Sequence, residues 1–286
     1  NVETRASDPE EVGIPEFLRE KIRDTTAEKT GILLACGPSR SGVTSTAIAM
    51  LRCVDAYVYT IYRIFDTGSW EVPYVNEFDE ADVGKDLETT LVRCQRKEGE
   101  VIFCPPVTNA DDAKVLFQNA PKSALLSEFA ARDTANGLLQ LLQWVGDPAV
   151  VGEQLRGLLS QKLIRKLCDS CKEAYPPNPK LVQKLGLGKE TKALYRHSSP
   201  PQEPQKGDTW EPCRVCGGLG YLGRTAMFEY LEMTDGMKEV LKKKPTPDEV
   251  RMQMKKDGML TLQQDGLRLV AEGETSLEEL QRVFKS

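Results

Sequence analysis

Residues Gly37 to Thr44 read Gly-Pro-Ser-Arg-Ser-Gly-Val-Thr, the frame of a phosphate-cradling P-loop with Val43 at the lysine position. In a loop of the form GxxxxGK[ST], backbone N–H groups wrap the phosphates, the lysine reaches the β and γ phosphates, and the Ser/Thr hydroxyl holds Mg²⁺. Gly37, Ser41, Gly42 and Thr44 are therefore the candidate nucleotide-binding residues, in a loop whose charge is gone. Arg40, inside the loop, is a candidate substitute cation. A Gly/Ser/Pro turn between two elements is the competing reading of the same stretch.

A second group of residues could hold a metal. Cys168-Asp-Ser-Cys171 and Cys213-Arg-Val-Cys216 are two Cys-x-x-Cys pairs with 41 residues between them. A two-residue gap lets both thiolates of a pair face one ion, and four thiolates complete a tetrahedral Zn²⁺ shell with no position left for water. Such a site is structural, and the metal's affinity becomes folding free energy. Two unrelated pairs, or a redox Cys-x-x-Cys, remain as alternatives, although neither pair has the strand-to-helix setting of a thioredoxin site. The other four of the eight cysteines, Cys36, Cys53, Cys94 and Cys104, sit singly in apolar segments and read as small buried hydrophobes. His197, the only histidine, reads as a solvent-exposed loop residue.

These residues need elements to hold them. Ile32 to Cys36 is an apolar run of buried-strand type and Ser45 to Arg52 has helical character, so the P-loop lies between strand and helix as its chemistry requires. Strands are expected at 56–64, 101–104 and 123–127, alternating with helices at 86–97, 110–119 and 133–145. That alternation implies a mainly parallel sheet covered on both faces. Beyond Asp147 a long amphipathic helix is expected over 148–167, with no strong strand signal after it. The proline-rich stretch 176–211 is an irregular excursion bracketed by the cysteine pairs. From Thr234 onward the sequence reads as helical.

The domain organisation expected is a lead-in with a short helix at 1–29, a P-loop α/β core at 30–150 (RecA-like, as the family resemblance given below implies), a helix plus zinc-binding tetracysteine segment at 151–232, and a C-terminal helical subdomain at 233–286. The fold class is α/β. With 40% hydrophobic and 28% charged residues the composition is that of a soluble globular protein. A net charge of −5 argues against a broad electrostatic footprint for nucleic acid or anionic membrane. The short basic run Lys242 to Lys244 reads as a solvated helix end. No apolar run approaches the roughly 18 to 20 residues of a membrane span, and the start is too charged for a signal peptide, so a cytoplasmic protein is expected.

Three stretches resemble the type II secretion and type IV pilus assembly ATPases, the GspE, PulE and PilB group. They are Leu159 to Cys171, leading into the first cysteine pair; Cys213 to Glu229, with its Gly-Tyr-x-Gly-Arg-x-x-x-x-Glu signature; and the tail segments Gly258 to Gly266 and Gly273 to Glu279. The resemblance implies a motor domain with ATP and Mg²⁺ as cofactors, hexameric rings, protein partners in a secretion or pilus platform, and a cytoplasmic location peripheral to the inner membrane.

Against that pattern the catalytic residues are missing. Where the family's Walker B strand ends in glycine and a catalytic glutamate, Val101 to Cys104 is followed by Pro105-Pro106. Proline offers neither a carboxylate nor an N–H. Ala130 stands at the histidine of the His box. Asp66 keeps one acid of the Asp box, with Glu71 a candidate for the second. Of two arginines expected before Walker B, one is Val92 and the other is Arg96. The leading expectation is a pseudo-ATPase serving as a structural or regulatory subunit, with no catalytic residues of its own. The alternatives are a conditionally active ATPase completed by a neighbouring subunit, and a zinc-dependent protein- or nucleic-acid-binding module; the acidic balance disfavours nucleic acid.

Overall fold

In the computed structural model, which describes residues 8–38, 41–68, 70, 72, 75–77, 84–187, 191–198 and 211–285, the apolar run before the P-loop forms strand β1 (Ile32–Gly37), buried along its whole length. Helices α1 (Pro9–Val12) and α2 (Glu16–Ala27) precede it. Helix α3 (Val43–Arg52) follows, entered through Gly42 at φ +90°, a left-handed conformation that glycine adopts without a Cβ penalty.

The alternation then continues through β2 (Ile61–Arg63), β3 (Asn76–Glu77), α4 (Leu87–Arg96), β4 (Val101–Phe103), α5 (Ala110–Asn119), β5 (Ala124–Ala130) and α6 (Thr134–Val145). Asp86, Asn109 and Asp133 cap α4, α5 and α6 by accepting from a backbone N–H three residues on, which is why these boundaries are readable from sequence. The expected strand at 56–64 shrinks to Ile61–Arg63, since 55–59 is a turn in which Val58 and Tyr59 bond back to Asp55. Arg40 and Glu71 lie outside the described residues.

The largest departure from expectation comes next. The amphipathic helix expected over 148–167 stops early, as α7 (Pro148–Gln154), and the remainder is a long strand, β6 (Leu155–Leu167). A second long strand, β9 (Tyr221–Glu232), also appears where no strand signal had been read. Between them lie β7 (Glu173–Tyr175), α8 (Pro179–Leu185) and β8 (Leu194–Arg196), with β7 and β8 an antiparallel pair. The chain ends in α9 (Asp235–Leu241), α10 (Pro247–Lys256), α11 (Leu262–Ala271) and α12 (Leu277–Lys285), the helical C-terminal region expected.

The main sheet has the order β3-β2-β4-β5-β1-β6-β9. The pairs from β3 through β6 are all parallel. At the other edge Met233 N–H donates to Arg156 C=O and Cys168 N–H to Gly220 C=O, which makes β6 and β9 antiparallel. Two compact units result: Asn1–Gln161 with Phe228–Thr261, and Lys162–Met227 with Leu262–Ser286. The first is the RecA-like α/β unit, its core built from Ile32, Leu34, Ile102, Leu125, Leu138 and Leu158 among others. The second has its own core around Ile164, Leu194, Met227, Leu269 and Leu280. Among the described residues, no helix is long and apolar enough to cross a membrane.

Candidate functional site

The carboxyl ends of β1, β4 and β5 meet at the P-loop, where ligands bind in open α/β sheets. Gly37 at the end of β1 pairs with Ala130 at the end of β5, and Ala131 N–H donates to Gly37 C=O at 3.1 Å. The loop is packed on itself. A Cβ added to Gly37 would lie 2.7 Å from Ser41 Oγ and 2.8 Å from Val43 Cγ2, so a side chain there would force the loop to shift. Ser41 Oγ is buried with no hydrogen-bond partner. Gln161, buried on β6, donates from Nε2 to the Ser41 carbonyl and holds the loop from outside.

The cleft in front of the loop has a volume of about 1030 Å³, with Val43, Thr44, Pro106, Glu128, Ala130 and Trp144 among its walls. The cleft thus brings together three of the positions singled out in the sequence, Val43, Pro106 and Ala130. The two prolines interrupt the ladder at the end of β4, which resumes when Val107 N–H donates to Glu128 C=O at 2.8 Å. Asp66 is exposed and accepts from the Gly68 N–H at 2.7 Å in an Asx turn; it is not among the described residues lining the cleft, although Trp70, four positions on, is. Arg96 is exposed near the end of α4.

One residue at this site escapes sequence reasoning. Glu128, on β5, has its Oε1 2.8 Å from the Thr44 hydroxyl, which donates to it. Its Oε2 is buried without a partner. Burial pushes the Glu128 carboxyl above the ordinary carboxylate range, while the Thr44 bond pulls it down. Glu128 is the only charged side chain among the described residues lining the cleft. The signal in the sequence is a lone charge in Ala124-Leu-Leu-Ser-Glu-Phe-Ala130, an otherwise apolar strand.

The second site assembles as expected. The sulfurs of Cys168, Cys171, Cys213 and Cys216 lie within 4.8 Å of one another, a group that could hold a metal ion. The Cys171 and Cys216 sulfurs are 3.7 Å apart. Tetrahedral Zn–S bonds of about 2.3 Å place sulfurs about 3.8 Å from each other, so the donor set fits. Backbone N–H groups of Cys216 and Val215 lower the Cys213 thiol to about 7, and Gly220 N–H points at Cys216 Sγ from 3.2 Å. Burial and its thiol neighbours push Cys171 up. The four remaining cysteines are buried, and burial raises Cys53 and Cys94 to about 12, as inert core thiols require.

His197 is not the exposed loop residue expected. Its ring is half-buried, 5.5 Å from the Tyr221 ring centroid, with Nε2 3.2 Å from Glu278 Oε2. It also backs Gly220, where an added Cβ would lie 2.4 Å from His197 Cβ and where φ is +72°.

A family model described as Type II/IV secretion system protein matches residues 2–282. The chain is 26% identical to the Type IV pilus assembly ATPase PilB of Thermus thermophilus, over 95% of this chain and 30% of that protein. It is 26% identical to the Type II secretion system protein E of Xanthomonas campestris pv. campestris, over 98% of this chain and 48% of that protein. The Dickeya dadantii protein of the same name is 27% identical, with 97% and 53% covered. The chain thus spans about half, or less, of the length of these relatives. Among solved structures, the pilus retraction motor PilT with bound ADP superposes with a TM-score of 0.61 at 16% identity, covering 99% of this chain and 68% of PilT. The Legionella pneumophila ATPase DotB gives 0.59 at 12% identity, with 98% and 66% covered, and both establish the fold alone. The sequence match over nearly the whole chain, joined to a P-loop on a parallel sheet and a four-cysteine cluster, places this protein in the GspE/PilB-like family of Type II/IV secretion system proteins.

Proposed function

We propose that this protein is a catalytically silent member of its family, a structural or regulatory subunit of a type II secretion or type IV pilus-like assembly. The observation that carries this reading is the cleft at Gly37 to Thr44: among the described residues lining it there is no lysine or arginine, and Pro106 and Ala130 stand in the two other catalytic places. A charge-assisted hydrogen bond is worth about 1.5 to 3 kcal/mol, so loss of the lysine alone costs roughly ten- to hundredfold in nucleotide affinity. Loss of the carboxylate removes the group that orients the attacking water. The role left to Gly37, Ser41, Gly42 and Thr44 is to keep the loop's shape.

In this reading Cys168, Cys171, Cys213 and Cys216 hold a structural zinc, which supplies folding free energy and no reactive position. The partners are proteins of the assembly platform, other subunits in a family-type ring included, and the site of action is the cytoplasmic side of the inner membrane. The test is ATP hydrolysis by the purified protein. No turnover above background is expected; turnover that Thr44→Ala abolishes would sink the reading.

A second reading, a conditionally active ATPase completed by a neighbouring subunit, draws on the Thr44–Glu128 pair, because a P-loop hydroxyl and a carboxylate are the groups that share Mg²⁺ in working enzymes. It requires micromolar affinity for MgATP that strengthens on oligomerisation.

A further inference from the structure

We propose that Glu128 sets the charge preference of the P-loop cleft and closes it to phosphate, by holding a carboxylate at the hydroxyl where a magnesium-bound phosphate would dock. This rests on the silent reading above and names the residue that enforces it.

Thr44 is the second residue of α3, so the carboxylate it binds lies at the N-terminus of that helix, where unpaired N–H groups and the helix dipole favour negative charge. In a working P-loop that favourable position belongs to the ligand's phosphates. Here it is taken by a side chain of the protein, from the strand next to β1. The hydroxyl proton is committed to Glu128 Oε1, and Glu128 Oε2 is buried with no hydrogen-bond partner. No cationic side chain among the described residues lining the cleft offsets the charge. An incoming phosphate would meet a like charge in a partly desolvated pocket, an encounter that weakens binding beyond the loss of the lysine. Two separate changes therefore act on one cleft: Val43 removes the attraction and Glu128 adds a repulsion.

This separates the two contributions experimentally. In Glu128→Gln the side-chain carbonyl can still accept from Thr44 while the charge is gone; Glu128→Ala removes the acceptor as well and guards against a folding defect peculiar to the amide. MgATP and inorganic pyrophosphate are titrated calorimetrically into the whole chain, as wild type, V43K, V43K/E128Q and V43K/E128A, each first checked for a native melting transition. The wild type should show no saturable binding, and restoring the lysine alone should gain little. Both double variants should bind at least about tenfold more tightly than V43K. The proposal is overturned if V43K binds as tightly as the double variants, or if neither double variant improves on V43K. Either result leaves the silent reading intact, since that depends on turnover by the wild-type chain, measured separately.

Discussion

At the scale of single residues, Glu279 is a carboxylate buried within the fold, 1% exposed. It accepts from Arg165 Nη2 at 2.6 Å, from Arg282 Nη2 at 2.6 Å and from the Arg165 backbone N–H at 3.2 Å. Burial alone would raise its pKa, but the two guanidinium groups win and hold it at about 2. A folded-state pKa below the unfolded value near 4.3 means stability that is present above that value and lost as pH falls towards 2. Glu279→Gln should therefore cost about 3 kcal/mol at pH 7, read from denaturant midpoints, with the gap to wild type narrowing between pH 4.5 and 2. A gap that does not change with pH would show that the arginines contribute packing rather than charge. The same scale explains what could be read in advance. Val43, Pro106 and Ala130 each lie within a short contiguous segment that the family resemblance singles out, and are visible in the sequence. Glu128 is 84 positions from Thr44, and no local pattern announces a partner that distant.

Among the elements, β6 is the instructive failure. Leu155, Leu158, Leu159 and Leu163 fall at helical spacing, yet the strand lies in the sheet between β1 and β9, with residues 157–161 buried in succession rather than alternately. A short apolar run buried on both faces carries no period to distinguish it from helix. Its first turns also hide an irregularity. Ile32 faces Leu155 but Leu33 faces Gly157, so Arg156 is an extra residue, and its guanidinium binds Glu28 Oε2 at 3.0 Å and Thr30 Oγ1 at 3.2 Å. Gly157 follows because Tyr230 needs the space: an added Cβ would sit 2.4 Å from its Oη and 2.7 Å from its Cζ. Gly157→Ala should lower stability by about 2 kcal/mol, a fall of roughly 5 °C in Tm, by forcing the tyrosine out of place. A melting curve superposable on wild type would mean that β9 can shift at no cost. Helices α4, α5 and α6, by contrast, were legible to within a residue, because their Asx caps and ends are local signals.

For the molecule as a whole, the four-cysteine cluster, which could hold a metal ion, belongs to the second unit. Its cysteines come from the two ends of a sequence excursion, and none of the rest of that unit's core is large: Ile164, Leu187, Leu194 and Met227 with four residues of α11 and α12. The affinity of a metal bound by these four thiolates would appear directly as folding free energy. Purified protein is expected to carry one zinc per chain by atomic emission. Chelation, or Cys171→Ser, should separate the melting into two transitions, the lower from the residues of the second unit. A single unchanged transition after zinc removal would assign the cysteines no part in the fold. Each Cys-x-x-Cys pair was legible from spacing, with their meeting at one site left open, whereas the division of the C-terminal helices between the two units was not legible, since it depends on which core each apolar face meets.

The junction at which Cys168 N–H meets Gly220 C=O, beside the four sulfurs, has one more consequence. It pins both ends of the intervening sequence, so the sheet does not sense how long that sequence is. Closing a loop costs only about 0.6 kcal/mol more for each doubling of its length. A reporter domain or an epitope spliced into this stretch outside β7, α8 and β8, and away from the core residues Leu187 and Leu194, should leave the pairing of β6 with β9, and the melting of the first unit, as they are.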